Sequence, residues 1–273
     1  MNKYLRFSVP SNKRGGIIGF ILIIILVVII ALNYSKIDGF VGKVIYQNDV
    51  ANVTRVVDGD TVELQDGVKV RMLGINTPEK KEVYHDEAMN YLKERVEGRQ
   101  VVLRKGTQDK DLYGRELRFI FLNDENINIE LIKGGFANAY FPSKDKMYYD
   151  EFEAAWQQCV VNNINLCERS IDVCAACIKL DELDDKNEIA KFSNGCSSDC
   201  DLNGWTIKDE GRKKFAFKDF KVNAGTSFSV KVGDGEDSQQ VLYWKGQDYV
   251  WTESGDTLYL RDSKNKLVLY NNY

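Results

Sequence analysis

Residues 56–64 read VVDGDTVEL: Asp58, Gly59, Asp60 and Thr61 stand between β-branched, alternating runs, where a strand should turn. Asp-Gly flanked by alternating apolar residues is a strong hairpin signal, and it recurs at Asp66-Gly67. Working outward, the segments 43–47 (KVIYQ), 52–57 (NVTRVV), 61–65 (TVELQ) and 68–75 (VKVRMLGI) read as strands of a meander. From Asp86 the period changes. Ala88, Leu92 and Val96 are spaced for one face of a helix that ends near Gly98. VVLRK and LRFIFLN resume strand, and IELIKGG predicts a short helix closed by Gly134 and Gly135. Tyr148, Phe152, Ala155, Trp156 and Cys159 mark the face of a third helix. Residues 48–170 therefore form one α+β domain. Beyond Cys174 there is no helical period. Short alternating runs (IKL, EIAKF, WTIKD, FAFKDF, SFSVKV, VLYW, TLYLRD, KLVLYN), separated by Gly, Asp and Asn turns, predict an all-β sandwich over 171–273.

Ahead of both domains, Ile17 to Leu32 is an almost unbroken apolar run, close to the roughly 20 residues that span a hydrocarbon layer. Lys3, Arg6, Lys13 and Arg14 precede it, which places the N-terminus in the cytoplasm and everything after Tyr34 outside. Residues 1–34 thus read as a basic tail with a single transmembrane anchor in the lipid bilayer, and 35–47 as a linker. A cleaved signal peptide, giving a secreted protein, is the competing reading. Its h-region ends at small-x-small, whereas the exit here reads ALNYS.

Six cysteines, Cys159, Cys167, Cys174, Cys177, Cys196 and Cys200, fit disulfides in an exported chain. Cys174-x2-Cys177 and Cys196-x3-Cys200 also have nearly the spacing of a four-thiolate zinc site. The outward topology favours disulfides, with local pairs expected: Cys159 with Cys167, Cys174 with Cys177, Cys196 with Cys200. His85, the only histidine, excludes paired-histidine and HExxH chemistry and reads as part of a surface turn. An EF-hand fails because Val62 and Glu63 stand where its loop needs a ligand and a glycine. The net charge of −4 argues against a long basic groove for nucleic acid and leaves room only for a small phosphate site.

Arg71 on the strand after the turn, Asn76-Thr77-Pro78-Glu79, and Asp111-Leu112-Tyr113-Gly114-Arg115 beyond the first helix complete a pattern. In order and spacing, VVDGDTVEL, RMLGINTPE, DLYGRELRFIF and INIELIKGGFANAY resemble the thermonuclease (staphylococcal nuclease-like) family. The resemblance implies an OB-fold five-stranded barrel with helices packed on it, acting as a Ca²⁺-dependent phosphodiesterase on DNA and RNA. Carried over by residue, Asp60 would be a metal ligand, Thr77 would offer its backbone carbonyl, Glu79 would be the general base, and Arg71 and Arg115 would grip the phosphate. The chemistry asks for these types. Guanidiniums bind phosphate oxygens bidentately, and hard Ca²⁺ takes oxygen ligands. One position departs: Asn76 stands where the family pattern has a second metal-binding Asp, so weaker calcium affinity is expected. Leu112 replaces a lysine of the pattern. Tyr113 could hydrogen-bond phosphate, and Tyr140 or Phe141 could stack on a base, barrel-rim packing being the alternative. Asp58 reads as the turn residue.

In the second domain, DLNGWTIKDEGRKKFAF and GDTLYLRDSKNKLVLYNNY resemble the lamin-tail domain, which implies an immunoglobulin-like sandwich with Trp205 in its core. Arg212, Lys213 and Lys214 read as a solvated hairpin tip. The expectation is a membrane-anchored, monomeric, extracellular nuclease whose sandwich attaches substrate or cell-envelope polymer. A non-catalytic surface module that binds nucleic acid or polymer is the alternative.

Overall fold

The computed structural model describes residues 48–141 and 147–273. The expected strand at 43–47, the linker and the membrane segment at Ile17 to Leu32 lie outside the described residues. Among the described residues, no helix is long and apolar enough to cross a membrane.

The hairpin at 56–64 forms as read. Strand β1 (Asn48–Asp58) pairs antiparallel with β2 (Thr61–Leu64), Asp58 facing Thr61 across the turn. Asp58 is the turn residue: its Oδ1 accepts the Gly59 N–H at 2.8 Å. β2 continues to β3 (Lys69–Met72), placing Arg71 opposite Thr61. The sheet runs β3-β2-β1-β5-β6, with β5 at Gln100–Lys110 and β6 at Glu116–Leu122. A parallel pairing of β3 with β6 closes it into a five-stranded, OB-like barrel. Short pieces follow: β4 (Ile75–Asn76) pairs with β8 (Asn138–Ala139), and β7 (Glu125–Asn126) extends the edge beside β6.

Helix α1 (His85–Val96) buries Ala88, Leu92 and Val96, the face that the sequence period marks. Helix α2 (Ile127–Lys133) starts where the Asn126 side chain accepts the Asn128 N–H. Helix α3 (Tyr149–Asn162) buries Phe152, Ala155, Trp156 and Cys159. Gly74 has φ 74° and lies against the Phe152 ring, where an added Cβ would sit 2.1 Å from Cε2. Any side chain there would drive α3 off the barrel.

The second domain is all-β. One sheet runs in the order β16 (Val241–Trp244), β15 (Ser227–Val232), β10 (Ile189–Asn194), β9 (Ile178–Asp184). The other runs β13 (Lys214–Ala216), β12 (Thr206–Lys208), β17 (Thr257–Arg261), β18 (Leu267–Asn272). Phe192, Phe228 and Trp244 from the first sheet share one core with Ile207, Leu258 and Val268 from the second, and Trp205 is buried in it. A small pair, β11 (Cys200–Asp201) with β14 (Lys221–Val222), lies beside these sheets.

The two domains are packed together. Trp156 of α3 meets Tyr259 and Tyr270 edge to face at 5.3 and 5.7 Å, and Tyr259 and Leu267 belong to the barrel's own core cluster. Arg261 Nη1 donates to the Leu166 carbonyl at 2.6 Å. Apolar burial of this kind holds a domain contact far more firmly than a polar one.

All six cysteines are disulfide-bonded, and Cys159–Cys167 pairs as expected. The other two bridges cross: Cys174 joins Cys200, and Cys177 joins Cys196, which corrects both local pairs and leaves no thiolates for zinc. The reason is burial and register. Cys174 and Cys200 are both buried, whereas Cys177 and Cys196 are half-buried beyond the end of the β9–β10 ladder, where Gly195 N donates to the Cys177 carbonyl.

Candidate active site

The hairpin, β3 and the loop after β4 converge on one network. Asp60, 4% exposed, accepts the Thr61 hydroxyl on Oδ1 at 2.9 Å. Its Oδ2 takes the Thr77 hydroxyl at 3.2 Å and an Arg71 Nη2 at 3.0 Å. Gly59 makes this approach possible, because a Cβ there would sit 2.7 Å from Thr77 Oγ1 and 3.1 Å from Ala88 Cβ. A glycine separates the two carboxylates because the turn must let Thr77 reach Asp60 and let Ala88 of α1 close on the turn.

Arg71, 6% exposed, also donates to the Met72 and Ile75 carbonyls at 2.8 and 2.9 Å and to the Asn76 amide oxygen. Burial pushes its pKa down, Asp60 opposes, and the charges of Arg115 and Arg212 push down as well. Three guanidiniums therefore share one field.

Arg115 is oriented by the Asp111–Arg115 turn. Asp111 Oδ2 holds its Nε at 2.6 Å, while Oδ1 accepts the backbone N–H groups of Tyr113 and Arg115. Its Nη1 lies 3.5 Å from Thr61 Oγ1, next to Asp60. Tyr113, 85% exposed, stands at the rim with the Arg115 guanidinium 5.5 Å from its ring centre. Tyr140 is half-buried on the cleft wall, and burial raises its pKa, so its hydroxyl stays protonated and able to donate. Phe141 packs on Phe152 and Tyr149 at 5.3 and 5.1 Å, as rim packing requires.

Asp60, Asn76 and the Thr77 carbonyl are all oxygen donors, the chemistry a hard divalent cation takes. Only Asp60 brings charge. The Asn76 amide has a second duty: its Nδ2 donates to the Glu210 carbonyl of the second domain at 2.8 Å. A carboxylate at this position would oppose that carbonyl, which gives a physical reason for the departure from Asp.

The second domain borders the site, which the sequence did not reveal. Arg71, Asn76, Arg115, Tyr113 and Tyr140 line a cleft of about 520 Å³ together with Asp209, Glu210, Arg212, Lys213 and Tyr249. Arg212, Lys213 and Lys214 lie at the β12–β13 hairpin tip as expected, with Arg212 and Lys214 exposed, but Arg212 also places its Nε 2.7 Å from Glu79 Oε1, and Lys214 lies 3.7 Å from Glu82. The cause is packing: the β12–β13 hairpin abuts the loop after β4, with Lys208 on Glu82 at 3.1 Å.

Residues 69–167 match the family model described as Staphylococcal nuclease homologue, and residues 175–272 match the Lamin Tail Domain. Over 165 residues the chain is 33% identical to the thermonuclease of Staphylococcus intermedius, an alignment covering 55% of this chain and 96% of that protein. The chain belongs to the thermonuclease family. The thermonuclease of Staphylococcus hyicus is 30% identical over 152 residues, 51% of this chain and 90% of that one. Endonuclease YhcR of Bacillus subtilis is 36% identical over 125 residues, 38% of this chain and 10% of its own length. The chain is accordingly a phosphodiesterase of the nuclease class.

On the wall of this cleft lie three buried carboxyls that sequence reading did not single out. Burial, reinforced by the charge of Asp256, pushes Asp209 up to about 7 and Glu210 up to about 8; burial raises Asp256 to about 6. Groups raised in the folded state stabilise it below their unfolded values, and that stability is lost as pH rises through 6 to 8. Melting temperature should therefore fall by roughly 5 °C between about pH 5.5 and 8.5. Glu210→Gln, which keeps an acceptor for the Phe141 N–H, should flatten the profile measured by calorimetry. An unchanged slope in the variant would remove Glu210 from the account.

Proposed function

We propose that this chain is a Ca²⁺-dependent nuclease that hydrolyses phosphodiester bonds of single-stranded DNA and RNA, acting as a monomer outside the cell from an N-terminal membrane anchor. The observation that carries the reading is the meeting of Arg71 and Arg115 at one cleft, with buried Asp60 paired to Arg71 behind it and Glu79 joined to its wall through Arg212. Calcium held by Asp60, Asn76 and the Thr77 carbonyl would supply Lewis-acid stabilisation of the charge that develops on the phosphoryl oxygens. Arg71 has three acceptors on Nη2, which leaves Nε and a second Nη1 hydrogen for substrate. Arg115, with Nε committed to Asp111, offers Nη2. Together they neutralise the phosphate and stabilise its added charge as water attacks. Glu79, held beside the cleft by Arg212, takes the proton of that water as the new P–O bond forms and the ester P–O bond breaks, the departing alkoxide taking its proton from solvent water.

Tyr113 and Tyr249, 85% and 58% exposed, rim the cleft from the two domains. Aromatic platforms beside phosphate ligands suit unpaired bases. Full-length protein with Ca²⁺ should cleave single-stranded DNA and RNA, and the duplex of the same sequence more slowly. Failure to cut any of the three would refute the reading.

Asn76→Asp tests the metal placement. It adds a charge to the proposed cation site and removes the hydrogen bond to Glu210, so two opposite effects are expected. In EDTA the variant should lose about 1–2 kcal/mol of stability. Calcium should then raise its melting temperature more than it raises the wild type's, and half-maximal cleavage should need less calcium. If the calcium dependence of cleavage stayed the same, Asn76 would not be a ligand.

A further inference from the structure

We infer that Arg212, supplied by the second domain, is a positioning residue for the nuclease reaction that holds the Glu79 carboxylate beside the cleft that Arg212 itself lines. The inference rests on the nuclease reading above. Glu79 follows Pro78 on a loop, and its side chain is 41% exposed. A carboxylate so placed samples many rotamers unless a partner fixes it, and Arg212 Nε does so at 2.7 Å. An exposed ion pair contributes little to stability, so holding the fold is not its use.

The segment that carries Arg212 is tied on both sides. Its Glu210 carbonyl accepts Asn76 Nδ2 at 2.8 Å, and Glu210 Oε1 accepts the Phe141 N–H at 2.9 Å. Within the second domain Glu210 N donates to Asp256 at 3.2 Å, and Lys213 N donates to Asp209 at 2.8 Å. With Trp156, Tyr259 and Leu267 continuing the core across the contact, this is a fixed wall and not a lid. Arg212 also lines the cleft with Arg71 and Arg115, and its charge is felt at Arg71. Arg212 gives up no proton; Glu79 receives the one that water loses. The nuclease domain alone would therefore lack a working part of its site.

The test is steady-state cleavage of single-stranded DNA with Ca²⁺ by the full chain, its Arg212→Ala and Arg212→Lys variants, and Glu79→Gln. Arg212→Ala should lower kcat about 10- to 100-fold and raise KM less than about threefold, with little change in melting temperature. Arg212→Lys should recover part of the loss. Millimolar guanidinium should restore kcat to Arg212→Ala but not to Glu79→Gln, a response that a purely structural role would not give. An unchanged kcat in Arg212→Ala, or a loss that guanidinium does not relieve, would overturn the inference. A raised kcat would overturn it too, by making Arg212 a brake on Glu79. Cleavage by wild type that Glu79→Gln abolishes upholds the nuclease reading whatever Arg212 does, whereas an inactive wild type ends both.

Discussion

Glu79→Gln should lower kcat for DNA cleavage by about 1,000-fold or more while leaving the melting temperature nearly unchanged. The amide keeps the shape of the side chain and an oxygen for Arg212 Nε, so the local geometry survives. It cannot take a proton at neutral pH. General-base removal accounts for about 10²- to 10⁴-fold, and a loss shared equally by kcat and kcat/KM marks an interaction made in the transition state. The other acidic side chain at this loop is Glu82, whose carboxylate accepts the Glu79 N–H and is held by Lys208 and Lys214. A loss smaller than about tenfold would move the base role away from Glu79.

Arg71→Lys should damage both stability and activity. One Nη2 serves Ile75, Asn76 and Asp60, and Nη1 serves Met72, an arrangement fixed by the planar guanidinium. A lysine ammonium is a compact group with three donors and cannot reach four acceptors set out for a fork. At least one buried acceptor, or Asp60 itself, would be left short of a partner. Breaking a buried pair costs about 3–5 kcal/mol, which for a chain of this size lowers the melting temperature by roughly 10 °C. Assayed well below that temperature, cleavage should still fall more than about 100-fold, because a guanidinium aimed at the phosphate is gone. A variant with wild-type stability would mean that the network around Asp60 is not organised by Arg71.

How much of this was legible in the sequence depended on how local each feature is. Period-2 alternation broken at Asp58-Gly59 located the hairpin of β1 and β2, because a short turn is a local signal, whereas the register shifts between Val53 and Arg55 and between Val56 and Asp58 were not legible. Ala88, Leu92 and Val96 located α1 for the same reason: each contact lies within two turns. Asp60, Arg71, Asn76, Thr77, Arg115 and Tyr113 were found through motif order; the structure joins Asp60, Arg71, Asn76 and Thr77 in one network and places Arg71, Asn76, Arg115 and Tyr113 on one cleft. The disulfides were half legible. Cys159 and Cys167 are joined by a short loop, whereas Cys174 and Cys200 meet only because β11 brings a buried position back to the turn before β9. Arg212 was illegible, since Asp-Glu-Gly-Arg-Lys-Lys looks like any solvated hairpin tip until the packing of Trp156 on Tyr259 sets it against Glu79. The carboxyl of Glu210 was hidden in the same way: its burial comes from the domain contact and not from its neighbours in the chain.

The most direct test of the account is metal removal and return. Full-length protein freed of divalent ions with EDTA is mixed with single-stranded DNA, and cleavage is followed before and after calcium is restored. Cleavage should be absent in EDTA and should recover with calcium in wild type, with no recovery in Glu79→Gln. Cleavage that persists undiminished in EDTA would contradict it, because Asp60, Asn76 and Thr77 would then hold no ion that the reaction needs.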